Sequence, residues 1–140
     1  MTQEKITYFF ENLTQNTSLD HFKTVYHESV IFKDPFNEVT GIESVFDVFA
    51  HMYRNLDNPR FVIVEYVDKK NIAYVKWEFH FSFKNESKQQ MFEGVSRLEM
   101  NEEGRVIDHI DYWDAAGNMY EKIPIIGWLI RMIKRKIARS

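Results

Sequence analysis

Three side chains in this sequence have the types and the spacing for proton chemistry: Asp34, His109 and Asp111. His109 and Asp111 stand two apart in the run RVIDHIDYWD (105–114), whose strand-like alternation puts both on the face shared by Ile107 and Trp113. At that spacing a carboxylate can orient an imidazole or activate a water, and a His/Asp pair in an apolar cleft can exchange a proton near neutral pH. The same pattern also fits a core histidine satisfied by its neighbour or by backbone. Asp34 precedes Pro35. A carboxylate there is a general base if a water-poor pocket raises its pKa, or a turn cap that bonds nearby backbone N–H groups. If Asp34 and His109 converge on one cavity, a base and an acid are both in place, and separation leaves two ordinary residues.

Other chemistries have less to work with. There is no cysteine, which removes disulfides, thiolate catalysis and Cys-ligated metals. His21, His27, His51, His80 and His109 show no metal-ligand spacing, so no metal is expected. Ser96 lacks the glycine pattern of a nucleophile elbow, and no nucleotide loop or flavin signature points to a cofactor. Phe49, Tyr53, Trp77, Phe79 and Trp113 are candidates to line a site for a hydrophobic ligand, or else plain core.

The elements that must position these groups follow from periodicity. Ile6, Phe9, Phe10 and Leu13 mark an amphipathic helix over about residues 3–15. Thr17 or Ser18 caps a second helix, with Leu19, Phe22, Val25 and Tyr26 inward. Residues 29–33 form a strand that Asp34-Pro35 stops, because proline cannot donate to a ladder. Gly41 precedes a third helix carrying Ile42, Val45, Phe46, Phe49 and Met52/Tyr53 on one face. After Pro59 the runs 60–67, 72–83, 88–100 and 105–114 read as strands separated by DKKN, KNES and NEEG turns. In 72–83 an apolar set from Ala73 to Phe83 alternates with Tyr74, Lys76, Glu78, His80 and Ser82. Helices followed by an antiparallel sheet make an α+β domain, and three helices cover only part of such a sheet, leaving a cone with a pocket.

With 140 residues, 44% hydrophobic and 28% charged, the chain has the composition of one globular domain rather than a disordered or fibrous one. The net charge of −3 conceals an acidic body and a basic tail. All 21 acids lie at or before Glu121, with 12 bases in that stretch, so residues 1–121 carry −9 and residues 122–140 carry +6. An acidic body argues against nucleic-acid binding. No apolar run reaches the roughly 20 residues of a membrane span, and the N-terminal stretch lacks signal-peptide character, so a cytoplasmic location is expected.

Phe32-Lys33-Asp34-Pro35-Phe36 leading to Gly41 and a helix, and Gly104-Arg105-Val106 running to Asp111-Tyr112-Trp113-Asp114, resemble the NTF2-like superfamily when taken in that order. The similarity is to its SnoaL-like and ketosteroid-isomerase-like branch, over about residues 3–118. It implies a bent sheet wrapped round a long helix, a cavity at one end and dimerisation through the sheet. Relatives of that kind include isomerases, cyclases, epoxide hydrolases and non-catalytic binding proteins, so fold alone does not fix function. Asp34 matches the Asp-Pro base of ketosteroid isomerase. That enzyme's oxyanion-hole Tyr and protonated Asp fall on Phe10 and Ser96, and a phenyl ring donates nothing to a dienolate. Asp111 matches the final-strand acid of limonene-epoxide hydrolase, whose middle-strand Arg and second Asp are replaced here by Trp77 and Phe79.

From Ile125 onward, Ile126, Leu129, Ile130, Ile133 and Ile137 form a stripe opposite Arg131, Lys134 and Arg135. Packing of this basic helix on its own sheet or on a partner subunit is favoured over an anionic membrane surface met through 124–139. The expected molecule is therefore an α+β, NTF2-like cone over 1–121, with three N-terminal helices on a strongly bent antiparallel sheet, followed by a basic amphipathic helix over 122–140. It is expected to be a homodimer that binds a small, largely apolar organic molecule without a cofactor. Asp34, His109 and Asp111 are its candidate catalytic residues, and Phe10, Tyr26, Phe49, Tyr53, Trp77, Phe79, Ser96 and Trp113 its candidate lining residues. A non-catalytic ligand-binding or protein-interaction module of the same fold is the alternative.

Overall fold

Ile6, Phe9 and Phe10 are buried on one face of α1 (Thr2–Glu11), as their spacing requires. The computed structural model describes residues 2–114; the boundary at 121/122 and the basic helix of 122–140 lie outside the described residues. α2 (Leu19–Lys23) is a single short turn whose N-cap is Ser18, its hydroxyl accepting from the His21 N–H at 3.1 Å. Val25 and Tyr26 are not on this helix; Tyr26 opens β1 (Tyr26–Lys33), so the first strand is longer than its sequence pattern indicates. The Asp34-Pro35 turn ends β1, and β2 (Glu38–Thr40) returns antiparallel to it. Gly41 caps α3 (Ile42–Asn55) with φ of 99°, a left-handed value that favours glycine, and α3 buries Ile42, Val45 and Phe49.

Four long strands follow: β3 (Leu56–Lys69), β4 (Ile72–Phe83), β5 (Gln90–Met100) and β6 (Val106–Trp113). β3 starts earlier than expected because Pro59 is absorbed in an irregularity between Asp57 and Arg60, on an edge strand where a missing N–H is tolerated. Among the described residues the sheet has six strands in the order β2-β1-β6-β5-β4-β3. The expectation of an antiparallel sheet fails at one pair, since β1 and β6 run parallel, Phe32 opposite His109 and Lys33 opposite Ile110. Parallel neighbours need a long crossover, and here the chain from β2 through β5 supplies it. Register shifts in the β1–β6, β3–β4 and β5–β6 pairs bend the sheet. The last of these also turns Val106 inward, fully buried, although simple alternation from His109 places it outside.

α1 packs on β3, and α3 on β1 and β3, closing the concave face over Phe22, Val30, Val45, Val75 and Leu98. A second cluster, Leu56, Trp77, Phe79 and Phe81, fills the other end. The alternation in β4 holds: Ala73 through Phe81 point to the core while Tyr74 is exposed, with Ser82 the buried exception on the polar side. The register pairs place Val62, Val67, Tyr74, Met91 and Tyr112 together on the convex face, where all are exposed. No helix among the described residues is long and apolar enough to cross a membrane.

Candidate functional site

The end of β1 sets the site's position. Beyond the Lys33–Ile110 pair β6 continues to Trp113 without a β1 partner, because Pro35 cannot extend the ladder. The concave face opens there. A cavity of about 100 Å³ is lined by Asp34, Asn37, Val48, Phe49, Met52, Leu56, Phe61, Trp77, Phe79, Phe92, Asp111 and Trp113. Behind it an inner chamber of about 20 Å³ is bordered by Phe10, Phe61, Trp77, Ser96, His109 and Asp111, among others. In front, an open groove of about 470 Å³ shares Asp34, Asp111 and Trp113 with the cavity.

A single chain of hydrogen bonds runs through this region. Register puts Ser96 directly opposite Asp111 and Leu98 opposite His109, so the inward side chains of β5 and β6 meet. The indole Nε1–H of Trp77 donates to Ser96 Oγ at 2.9 Å, and the Ser96 hydroxyl donates to Asp111 Oδ1 at 2.5 Å. His109 Nε2 lies 2.6 Å from the same Oδ1, and the Tyr26 hydroxyl lies 2.8 Å from His109 Nδ1. The roles that satisfy every group have Tyr26 donating to Nδ1, and Nε2–H donating to Asp111. Burial, followed by the charge of Asp111, holds the Tyr26 pKa well above its ordinary 10.0, so the phenol keeps its proton. His109 is 1% exposed and is enclosed by Phe10, Phe32 and Tyr26. The Asp111 side chain is 17% exposed and borders both the cavity and the groove.

Asp34 does what an aspartate before proline does locally. Its Oδ1 accepts from the Phe36 N–H at 2.8 Å and the Asn37 N–H at 2.6 Å, and both oxygens lie 3.2 Å from Asn37 Nδ2. It also lines the cavity, and burial pushes its pKa up from 3.8; the Asp111 charge adds to this while the bonds from Phe36 and Asn37 oppose it. A raised folded-state pKa means the native state binds more protons than the unfolded chain, so this group's stabilising contribution is complete below about 3.8 and is lost as pH rises through the folded value. Asp34→Asn is therefore expected to stand better against wild type at pH near 7 than at pH near 4, as measured by urea unfolding at both. An unchanged difference between the two pH values contradicts burial as the dominant cause.

The twelve cavity residues thus include two of the three candidate catalytic groups, Asp34 and Asp111, and four of the candidate lining residues, Phe49, Trp77, Phe79 and Trp113. His109, Phe10 and Ser96 border the inner chamber instead. Tyr26 and Tyr53 line none of the three hollows. Tyr26 is fully buried and serves His109, whereas Tyr53 packs against the core with its pKa pushed up to about 12 by burial. Sequence reasoning passed over Phe61, Phe92, Asn37, Val48, Met52 and Leu56. Phe61 and Phe92 were detectable as inward members of alternating strands, and Asn37 as the far end of an Asp-Pro turn.

Gly94 decides where Trp77 lies. It sits opposite Trp77 in the β4–β5 ladder, and a Cβ added there collides with Cη2 and Cζ2 of the indole. The ring is buried and tethered to Ser96, so Gly94→Ala is expected to cost about 1–3 kcal/mol by overpacking. Chemical denaturation checks this, and an unaltered midpoint means the indole has room to move.

The SnoaL-like domain family model matches residues 6–109, most of the chain. The chain belongs to this SnoaL-like family. No curated protein matches it. Among solved structures, a chain from a Jannaschia species provisionally assigned as a SnoaL-like polyketide cyclase has a TM-score of 0.73 at 12% identity, covering 84% of this chain and 88% of that one. An LEH-like epoxide hydrolase from M. tuberculosis has a TM-score of 0.69 at 12% identity, covering 94% and 92%. A protein from Catenulispora acidiphila with a ketosteroid isomerase-like fold, solved in complex with trimethylamine, has a TM-score of 0.69 at 10% identity, covering 82% and 86%. At these identities the likeness is one of fold. Proteins that share this fold thus include one provisionally assigned as a polyketide cyclase and one LEH-like epoxide hydrolase. Among the described residues no group of three or more His, Asp or Glu side chains is arranged to hold a metal ion.

Proposed function

We propose that this SnoaL-like domain binds a small, largely apolar organic molecule in the cavity and moves a proton on it by cofactor-free acid–base chemistry of the isomerase, cyclase or hydrolase kind. The observation that carries the reading is Asp111, a carboxylate that borders the cavity while Ser96 and His109 both hold it through Oδ1. A base fixed in one orientation needs no reorganisation at the moment of proton transfer. Oδ2 is then the oxygen that takes the substrate proton or a water. His109 acts through Asp111 rather than by touching substrate, and Tyr26 sets its tautomer. Asp34, on the same wall, is the second carboxylate, with a pKa moved toward the working range of a base.

Incubating the protein in heavy water with small cyclic ketones tests this, with loss of the α-proton signal followed by NMR. Exchange faster than in buffer is expected for the wild type. Ketones that bind without exchanging leave the non-catalytic alternative, which one observation favours: Asp34 commits both oxygens to its own turn.

The same proposal extends to assembly and place. The exposed Val62, Val67, Tyr74, Met91 and Tyr112 on one convex face support a homodimer through the sheet. We place the chain in the cytoplasm, as a domain over 1–121 followed by the basic segment 122–140.

A further inference from the structure

We propose that the molecule this cavity accepts is a small organic cation, a tertiary or quaternary ammonium compound whose head sits among Phe61, Trp77, Phe79 and Trp113 with its charge facing Asp34 and Asp111. The inference rests on the reading of the cavity as a ligand site and adds the chemical class of the ligand.

Half of the twelve lining side chains are aromatic rings, and among the described residues the only charged ones on the wall are the two carboxylates. The rings meet at mixed angles, 89° between Phe61 and Trp77 and 63° between Phe79 and Phe92 but 36° between Phe61 and Phe79 and 30° between Phe92 and Trp113, so they line the space from more than one side. Ring faces carry negative charge density and attract ammonium groups strongly once water is excluded. An anion is repelled by both carboxylates, whereas an apolar molecule with a positive head compensates their charge as the cavity loses water. The two carboxylates lie close enough for the charge of Asp111 to add to the upward displacement of the Asp34 pKa, which burial mainly causes.

Size agrees with the charge. A hollow of about 100 Å³ that opens toward the groove admits a methylated ammonium head. The two acids and Trp113 form the passage to the groove of about 470 Å³, which accommodates the remainder of a longer molecule.

The experiment is a titration of the full chain, by calorimetry and by amide and indole NMR, with tetramethylammonium, with choline, and with the uncharged isostere of choline in which carbon replaces nitrogen. The charged compounds are expected to bind at least tenfold more tightly than the isostere and to shift the Trp77 and Trp113 indole signals. Trp113→Leu is expected to weaken the charged compounds about tenfold while leaving the isostere unchanged, and Asp111→Asn to remove most of the preference, each variant retaining a folded amide spectrum. Equal or tighter binding of the isostere at the same residues overturns the cation class while leaving the ligand-site reading standing. Binding of small cyclic ketones where all three of these compounds fail to bind overturns the cation class in the same way. If none of these compounds perturbs the cavity signals, both readings fall.

Discussion

Trp77→Ala is expected to lower the free energy of unfolding by about 3–5 kcal/mol, a loss comparable with much of the total stability of a domain this size. The indole is 6% exposed, separates the cavity from the inner chamber and packs edge-on against Phe61 at 5.6 Å. Truncation removes its transfer free energy and merges the two spaces into one larger void, which the ladder on both sides prevents from collapsing. Ser96 also loses the donor that fixes its hydroxyl toward Asp111. Trp77→Phe separates these effects. It keeps most of the packing and removes the N–H, so it is expected to cost only about 1–2 kcal/mol. Urea unfolding of the three proteins measures both quantities, and a cost below about 1 kcal/mol for the alanine variant would falsify the view of the indole as a packed wall.

Asp111→Asn is expected to reduce proton exchange on a bound ketone by a hundredfold or more, the usual scale for losing a positioned acid–base group. The substitution is nearly isosteric, so the cavity keeps its shape while the charge disappears. Its cost to stability, about 1–3 kcal/mol, comes from the hydrogen bonds: Oδ1 takes two donors, and an amide side chain presents donors of its own toward Ser96 and His109. The control is Asp108→Asn, three residues earlier on β6, where the carboxylate lies 3.9 Å from Arg97 in a partly exposed pair. That variant is expected to lose less than about 1 kcal/mol and no exchange activity. Kinetics and unfolding measured on both variants decide the matter. If Asp111→Asn exchanges protons at the wild-type rate, the base is elsewhere, and Asp34 is the remaining carboxylate on the cavity wall.

These expectations show which parts of the molecule local chemistry had already prescribed. The alternation of β4 came straight from the residues, because successive side chains on any strand face opposite ways and Ala73 to Phe83 leave one apolar side. The Asp34-Pro35 stop was equally local, and it accounts for both the end of β1 and the turn that engages the Asp34 carboxylate. The pairing of His109 with Asp111 needed only a spacing of two on one strand.

What joins these pieces was decided by register between distant segments. Ser96 reaches Asp111 because β5 and β6 pair with those residues opposite, and Trp77 lies flat on β5 because its ladder partner is Gly94. The parallel β1–β6 pairing sets Phe32 beside His109, and the same fold carries the Tyr26 hydroxyl to its Nδ1, from a residue whose local pattern suggested a helix. Register shifts move an inward position by one residue, which is why Val106 is buried against the simple alternation. Side-chain periodicity is a property of the local backbone and is written in the order of residues. Which strand lies beside which, and at what offset, is settled by the joint burial of the whole concave face. That choice puts Asp34 and Asp111 at the cavity and His109 one layer behind it.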